Sequence, residues 1–190
     1  MSALAAQAIG TGRLDLLPLR VEHAEEMAAV LGDPALHTFI GGAPDTPRSL
    51  RSRYERMTAG SPDPDVTWLN WVIRVRAAAC LAGTVQATVS PSAPAPGGSR
   101  GSDATPGAVA EIAWVVGTPW QGRGIATEAA RGLVDWLAGQ PVSTVTAHVH
   151  PDHRASAAVA AAVGLTPTDE WHDGERRWRR TLARGSAPRP

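Results

Sequence analysis

The chain contains no lysine, so all 18 of its basic side chains are arginines. That absence removes mechanisms outright. There can be no Schiff base with a carbonyl substrate or pyridoxal cofactor, no Walker-loop lysine, and no kinase-type lysine on nucleotide phosphates. Arginine throughout, with alanine runs at Ala77–Ala79 and Ala160–Ala162, is what the codon usage of a GC-rich genome produces. The chemical exclusions hold whatever its origin. Cysteine is nearly absent too. Cys80 alone can form neither an internal disulfide nor a multi-cysteine zinc site; it opens an apolar run and reads as a structural thiol rather than a nucleophile. Neither sign of charge is in excess, 18 basic against 18 acidic, which argues against a nucleic-acid binder. Met1 to Gly12 has no basic patch or long apolar stretch of signal-peptide type, and no segment approaches the ~18 apolar residues of a membrane helix. The expectation is a soluble, cytoplasmic protein with no membrane partner.

What is present fits one domain, since 190 residues is about one domain's worth of chain. Leu14–Leu19 reads as a strand stopped by Pro18. Val21–Leu31 reads as a helix, with Ala24, Met27, Ala28 and Leu31 at i, i+3, i+4, i+7, ended by Gly32-Asp33-Pro34. Thr46 caps a second helix to about Ala59, with Pro47 in its first turn. Trp68–Arg76 and Leu81–Val89 read as antiparallel strands. Ser90–Ala108 is dense in Pro, Gly and Ser and reads as a mobile loop inside the sheet. Glu111–Val116 is a strand, Gly122–Leu137 a helix, Val142–Val149 a strand and Ala155–Val163 a short helix. A hairpin, Thr166–Trp171 and Arg176–Leu182, turns at Asp173-Gly174. The order β-α-α-β-β-β-α-β-α-β-β predicts an α+β fold, a mixed sheet with helices on both faces rather than a doubly wound one. The domain is expected over 13–183, between a flexible N-terminus (1–12) and a disordered tail (184–190).

The informative segment runs from Val116 through Gly117-Thr118-Pro119-Trp120-Gln121-Gly122-Arg123-Gly124-Ile125-Ala126 to Thr127-Glu128-Ala129. A strand end, a glycine turn and a long helix start combine unpaired N–H groups with the positive end of a helix dipole, a geometry that takes a pyrophosphate. A dinucleotide fingerprint wants a small residue where Thr127 stands and an acid at the end of the next strand; that strand ends His148-Val149-His150. A Walker loop needs the missing lysine.

What remains, the pattern Q/R-x-x-G-x-G/A in Gln121-Gly122-Arg123-Gly124-Ile125-Ala126, resembles the acyl-CoA loop of the GCN5-related N-acetyltransferases (GNAT family). Other segments are similar to its ribosomal-protein N-terminal (Rim-type) branch: the opening strand and the helix ending Leu31-Gly32-Asp33-Pro34, Gly83-Thr84-Val85, Glu111–Val116, His148–Ser156, Val163-Gly164-Leu165 and Asp173-Gly174-Glu175. The resemblance spans about residues 13 to 182.

It implies a GNAT-like fold whose central strands, Glu111–Val116 and Val142–Val149, splay apart to admit the pantetheine arm of acetyl-CoA as a pseudo-strand. Trp114, Val115 and Val116 would pair with that arm. Gln121, Gly122, Arg123, Gly124, Ile125, Ala126 and Thr127 would cradle the pyrophosphate, and His153 and Ser156 would complete the site. The implied activity is acetyl-CoA-dependent N-acetylation of a primary amine, a protein N-terminus or a small molecule, by direct attack on the thioester; a homodimer is compatible with it. The alternative is a non-catalytic acyl-CoA sensor or scaffold. A base must deprotonate the amine. Glu111 is the first candidate against a plain strand carboxylate, and His148 the second against a plain strand-face residue. Two departures from the family pattern stand out. His153 occupies the usual asparagine position, and by spacing Ala160 occupies the usual position of an acidic tyrosine. Ser156 is the nearest hydroxyl, either acid or helix cap. No metal is expected, although His148, His150, His153 and Asp152 lie close in sequence. The implied acceptor groove involves Phe39–Gly42, Arg48–Arg56 and Trp171–Arg180, where Arg176, Arg177, Arg179 and Arg180 are either a solvated face or recognise an anion.

Overall fold

Apolar side chains alternate along the strands so that two faces of one sheet are covered. In the computed structural model, which describes residues 4–92 and 107–182, the elements are β1 (Ile9–Gly10), β2 (Leu14–Pro18), α1 (Ala24–Val30), α2 (His37–Ile40), α3 (Pro47–Ala59), β3 (Thr67–Val75), β4 (Cys80–Ser90), β5 (Ala108–Val116), α4 (Ile125–Ala138), β6 (Val142–Val149), α5 (Arg154–Ala162), β7 (Thr166–His172) and β8 (Glu175–Thr181). The strands form one sheet in the order β1-β2-β3-β4-β5-β6-β8-β7. Every neighbouring pair is antiparallel except β5 and β6. This is the expected mixed α+β architecture. Most of the segment expected as a loop, 93–106, and the tail from 183 lie outside the described residues. Among the described residues no helix is long and apolar enough to cross a membrane.

The larger core lies between the sheet and α4. Along β3, Leu69, Trp71 and Ile73 point to it while Val72 points to the opposite face, under α1 and α3. On α4 the buried residues Ile125, Ala129, Ala130, Leu133, Val134 and Leu137 form one stripe. Trp71, fully buried, meets Trp136 edge-on at 5.4 Å between centroids. Its indole N–H needs a partner in that dry interior and donates to Gln7 O at 2.7 Å. The segment expected to be a flexible terminus is therefore tied down over its described part, residues 4–12, with Leu4, Ala6 and Ile9 packed on the core. Thr46 caps α3 as its sequence indicates, accepting from Ser49 N at 3.2 Å.

Strand β4 carries a bulge at Ala82, opposite the Ile73/Arg74 step. Without it Leu81 would face the same side as Val85 and Ala87; the extra residue turns Leu81 to the α1–α3 cluster. Glu26 of α1 accepts from Leu81 N at 2.6 Å. Gly83, the residue after the bulge, lies opposite Val116, and β5 crosses it so closely that a Cβ would collide with the carbonyl oxygen of Val115. Gly83→Ala should therefore cost about 1–3 kcal/mol of stability by overpacking two strand backbones. Urea denaturation measures this, and an unchanged midpoint would mean that β5 moves aside freely.

Candidate active site

Parallel strands β5 and β6 pair only from Ala108↔Val142 to Glu111↔Thr146. Beyond that rung they part. β5 stays bonded to β4 as far as Gly83↔Val116, and β6 to β8 as far as Val149↔Arg176, so each strand keeps its outer neighbour while the inner edges diverge. Peptide groups on those inner edges face a gap, and such groups need partners. A cleft of about 490 Å³ fills the opening. One wall is Trp114, Val115 and Val116 of β5; the other is His153 with Ala155, Ser156, Ala158 and Val159 of α5.

The floor of the cleft is the glycine loop. Gly122 (φ 71°) and Gly124 (φ 75°) both occupy left-handed backbone, where a side chain is strained, and Gly122 has open space where a Cβ would stand. This shifts the helix start from the expected Gly122 to Ile125 and leaves the N–H groups of Ile125, Ala126 and Thr127 without intrahelical partners. The Gln121 side-chain amide donates to Val116 O at 3.0 Å, pinning the loop to the strand it follows. Glu128, in the first turn of α4, accepts from Thr11 Oγ1 at 2.6 Å and from Arg13 N and Nε at 2.7 Å. Burial opposes its charge, but these hydrogen bonds outweigh burial and hold its carboxyl below the ordinary range.

Every residue expected to hold the cofactor lines this cleft except Arg123. Its guanidinium lies over the Trp120 ring, 5.2 Å from the centroid, and faces a second hollow shared with Arg13 and Arg76. Residues that sequence reasoning did not assign to the cleft also line it, notably Ala35, Leu36, Thr118 and Trp120. The first two belong to the turn and short helix over 34–40, an element too short to show periodicity. Asp33 links that element to the loop, taking hydrogen bonds from the Thr118 side chain and from Ala35 N, which lower its carboxyl below the usual range. Phe39 of α2 stacks on His153 at 4.2 Å with 4° between the rings. Ala160, matched by spacing to a tyrosine position, is fully buried in the core. An alanine brings no hydroxyl to that position.

The two candidate bases meet at the point where the strands part. Glu111 Oε1 lies 3.2 Å from His148 Nδ1, with the carboxylate side chain 52% exposed and the imidazole 10%. Arg177 Nε donates to His148 Nε2 at 3.3 Å and its Nη1 lies 2.5 Å from Glu170 Oε2. Ser156 belongs to the cleft wall, apart from that pair. Among the described residues no group of three or more His, Cys, Asp or Glu could hold a metal: His148 turns to Glu111, His150 Nδ1 accepts from Asp152 N, and His153 stacks on Phe39. The hairpin arginines are largely spent within the fold, Arg176 on Thr168 O (2.6 Å), Arg177 as above and Arg180 on Val163 O (2.7 Å), which leaves Arg179 exposed.

Residues 13–166 match the family model of an acetyltransferase (GNAT) domain. No curated protein matches the chain. Solved structures with the same fold include a GNAT-family acetyltransferase from Bacillus anthracis, 15% identical, covering 93% of this chain and 99% of that one at a TM-score of 0.69. RimL, a ribosomal L7/L12 alpha-N-protein acetyltransferase in complex with coenzyme A, is 16% identical over 94% of this chain and 100% of its own, with a TM-score of 0.68. The aminoglycoside acetyltransferase AAC(6')-Ib, also in complex with coenzyme A, is 15% identical over 88% and 94%, with a TM-score of 0.67.

Burial, reinforced by the charge of His150 and only partly offset by Glu175, lowers the His153 pKa from its ordinary 6.5. Stability tied to neutral His153 is therefore complete above about 6.5 and is lost as pH falls below it, because the unfolded chain takes the proton first. His23, lowered chiefly by burial, adds to the same loss. Melting temperature should fall between pH 7.5 and pH 5, and His153→Asn should flatten that fall. Parallel curves for the two proteins would show that His153 does not drive it.

Proposed function

The chain belongs to the GNAT acetyltransferase family, which makes it an acetyl-CoA-dependent N-acetyltransferase, and we propose that it acetylates a primary amine by direct attack on the thioester. The observation that carries this reading is the parting of β5 and β6 above a glycine loop: strand edges lacking partners lead to helix N–H groups lacking partners. The donor set fits coenzyme A. Inner-edge peptide groups of Trp114 to Val116 suit the amides of an extended pantetheine arm, and the left-handed glycines open the N-terminus of α4 to a pyrophosphate.

The chemistry needs little more than positioning and one proton acceptor. An amine arrives protonated at neutral pH, and the Glu111–His148 pair takes one proton from it, directly or through a water. The nitrogen lone pair then forms the C–N bond. The C–S bond breaks, and the second nitrogen proton passes to the leaving thiolate. Ser156 on the cleft wall supplies a hydroxyl near that thiolate. Peptide N–H groups of the splayed strand polarise the carbonyl. The acceptor is a protein N-terminus or a small amine. The similar structures include enzymes named for each kind, a ribosomal-protein and an aminoglycoside acetyltransferase.

Acetyl-CoA at 100 times its dissociation constant should stabilise the fold by about 2.7 kcal/mol, seen as a raised melting temperature. Free thiol should then appear with some member of a panel of N-terminal peptides, amino acids and aminoglycosides. Binding without thiol release across the panel would instead make the chain an acyl-CoA sensor. Glu111→Gln should lower turnover about 100-fold while leaving coenzyme A affinity intact; wild-type turnover in that variant would remove Glu111 from the mechanism.

A further inference from the structure

We infer that Arg177 fixes where the proton sits in the His148–Glu111 pair, making Glu111 the base and His148 the N–H group that supports it. The inference rests on the acetyl-transfer reading above, but its geometric half is decided by donors and acceptors alone. Arg177 Nε–H donates to His148 Nε2 at 3.3 Å. A guanidinium has five N–H donors, no acceptor, and does not give up its proton in a protein. The imidazole nitrogen that faces it must offer a lone pair. An imidazolium, protonated on both nitrogens, is excluded at this contact. With Nε2 spent as an acceptor, the single ring proton is on Nδ1, the atom 3.2 Å from Glu111 Oε1. His148 thus presents an N–H to the carboxylate and keeps no free lone pair with which to take a proton from an amine. Glu111, half exposed at the last rung, keeps its lone pairs and receives that proton.

The arginine is itself held at both ends. Its Nη1 lies 2.5 Å from Glu170 Oε2 on the edge strand β7, and its backbone carbonyl accepts from Thr168 Oγ1 at 2.8 Å. The β6–β8 register sets Arg177 directly opposite His148, so the contact needs no rearrangement of the strands. Four side chains on four strands, Glu170, Arg177, His148 and Glu111, form one line ending at the reaction centre. Both side-chain contacts of Arg177 are to protein groups, the imidazole and Glu170, and its proposed effect on the reaction passes through the imidazole. It is a positioning residue.

The test uses the full chain labelled with ¹⁵N-histidine, with His148 assigned by comparison with His148→Gln. Long-range proton–nitrogen spectra should show His148 Nδ1 protonated and Nε2 bare. Arg177→Leu should release the ring and bring up the Nε2-protonated form. It should also lower kcat about 10- to 100-fold, as loss of positioning does, with the KM for acetyl-CoA unchanged. Glu170→Gln, a mild exposed change, should move both readouts in the same direction by less; it carries the test if Arg177→Leu does not fold by circular dichroism. An Nε2-protonated His148 in the unmodified chain overturns the proposal. So does a variant in which the tautomer, or kcat, stays as in the parent. If no amine is acetylated, the spectra still decide the proton's position while the acetyl-transfer reading fails by itself.

Discussion

The rung between Glu111 and Thr146 is the point on which the site depends. On one side of it β5 and β6 are ordinary parallel neighbours, closing the sheet over the α4 core. On the other side they part, and the sheet exchanges internal hydrogen bonds for a gap that a ligand backbone can fill. The same rung places Glu111 at the narrow end of that gap. Trp114 to Val116 lead outward from it, and the glycine loop lies at the wide end. One change in strand direction thus sets the binding cleft, its floor and the position of its carboxylate.

Holding such a gap open requires that the outer neighbours not yield. β5 is braced by β4 from Val109 to Val116, and the brace is tightest at the Ala82 bulge, where Gly117 N donates to Ala82 O at 2.8 Å and Gly83 lets the backbones touch. The loop that follows is fastened twice, by Gln121 to Val116 O and by Glu128 to Thr11 and Arg13. The second fastening reaches back to the first residues of the fold. This is why residues 4–12, which lack any helical or long strand pattern, are held against the fold: Trp71 finds its partner in Gln7, and Glu128 finds one in Thr11.

Features carried by local chemistry were legible in the sequence. A Thr-Pro start marked α3, Asp-Gly marked the hairpin turn, and paired glycines before an apolar stripe marked the loop and α4, although φ values above zero at Gly122 and Gly124 moved the helix start three residues on. Features set by tertiary contact were not. The helix at 37–40 is a single turn between Pro34 and two left-handed glycines, too short for any period to show. Arg123 has the right charge and place in sequence for an anion, yet the Trp120 ring draws its guanidinium to the other side of the loop. Ala160, which by spacing holds the position of a tyrosine, is closed into the core, and its burial depends on how α5 packs rather than on any local pattern. Glu111 and His148 each stand out on their own strand; their contact depends on the parallel register, which no local pattern encodes.

The absence of lysine has a structural consequence. An ammonium is a compact charge on a flexible stem, whereas a guanidinium is a planar fork whose donors point in fixed directions and which accepts nothing. In this chain the forks serve as struts: Arg176 spans to Thr168 O, Arg180 to Val163 O, and Arg13 joins Glu128 to the carbonyl of Arg123. At His148 the same property has a chemical consequence. An arginine that can only donate compels its partner to accept, so contact with Arg177 determines which imidazole nitrogen carries the proton. A composition that eliminates every amine side chain thereby leaves the site with groups whose donor and acceptor roles follow from geometry, and the carboxylate at the last rung is the group left able to take a proton.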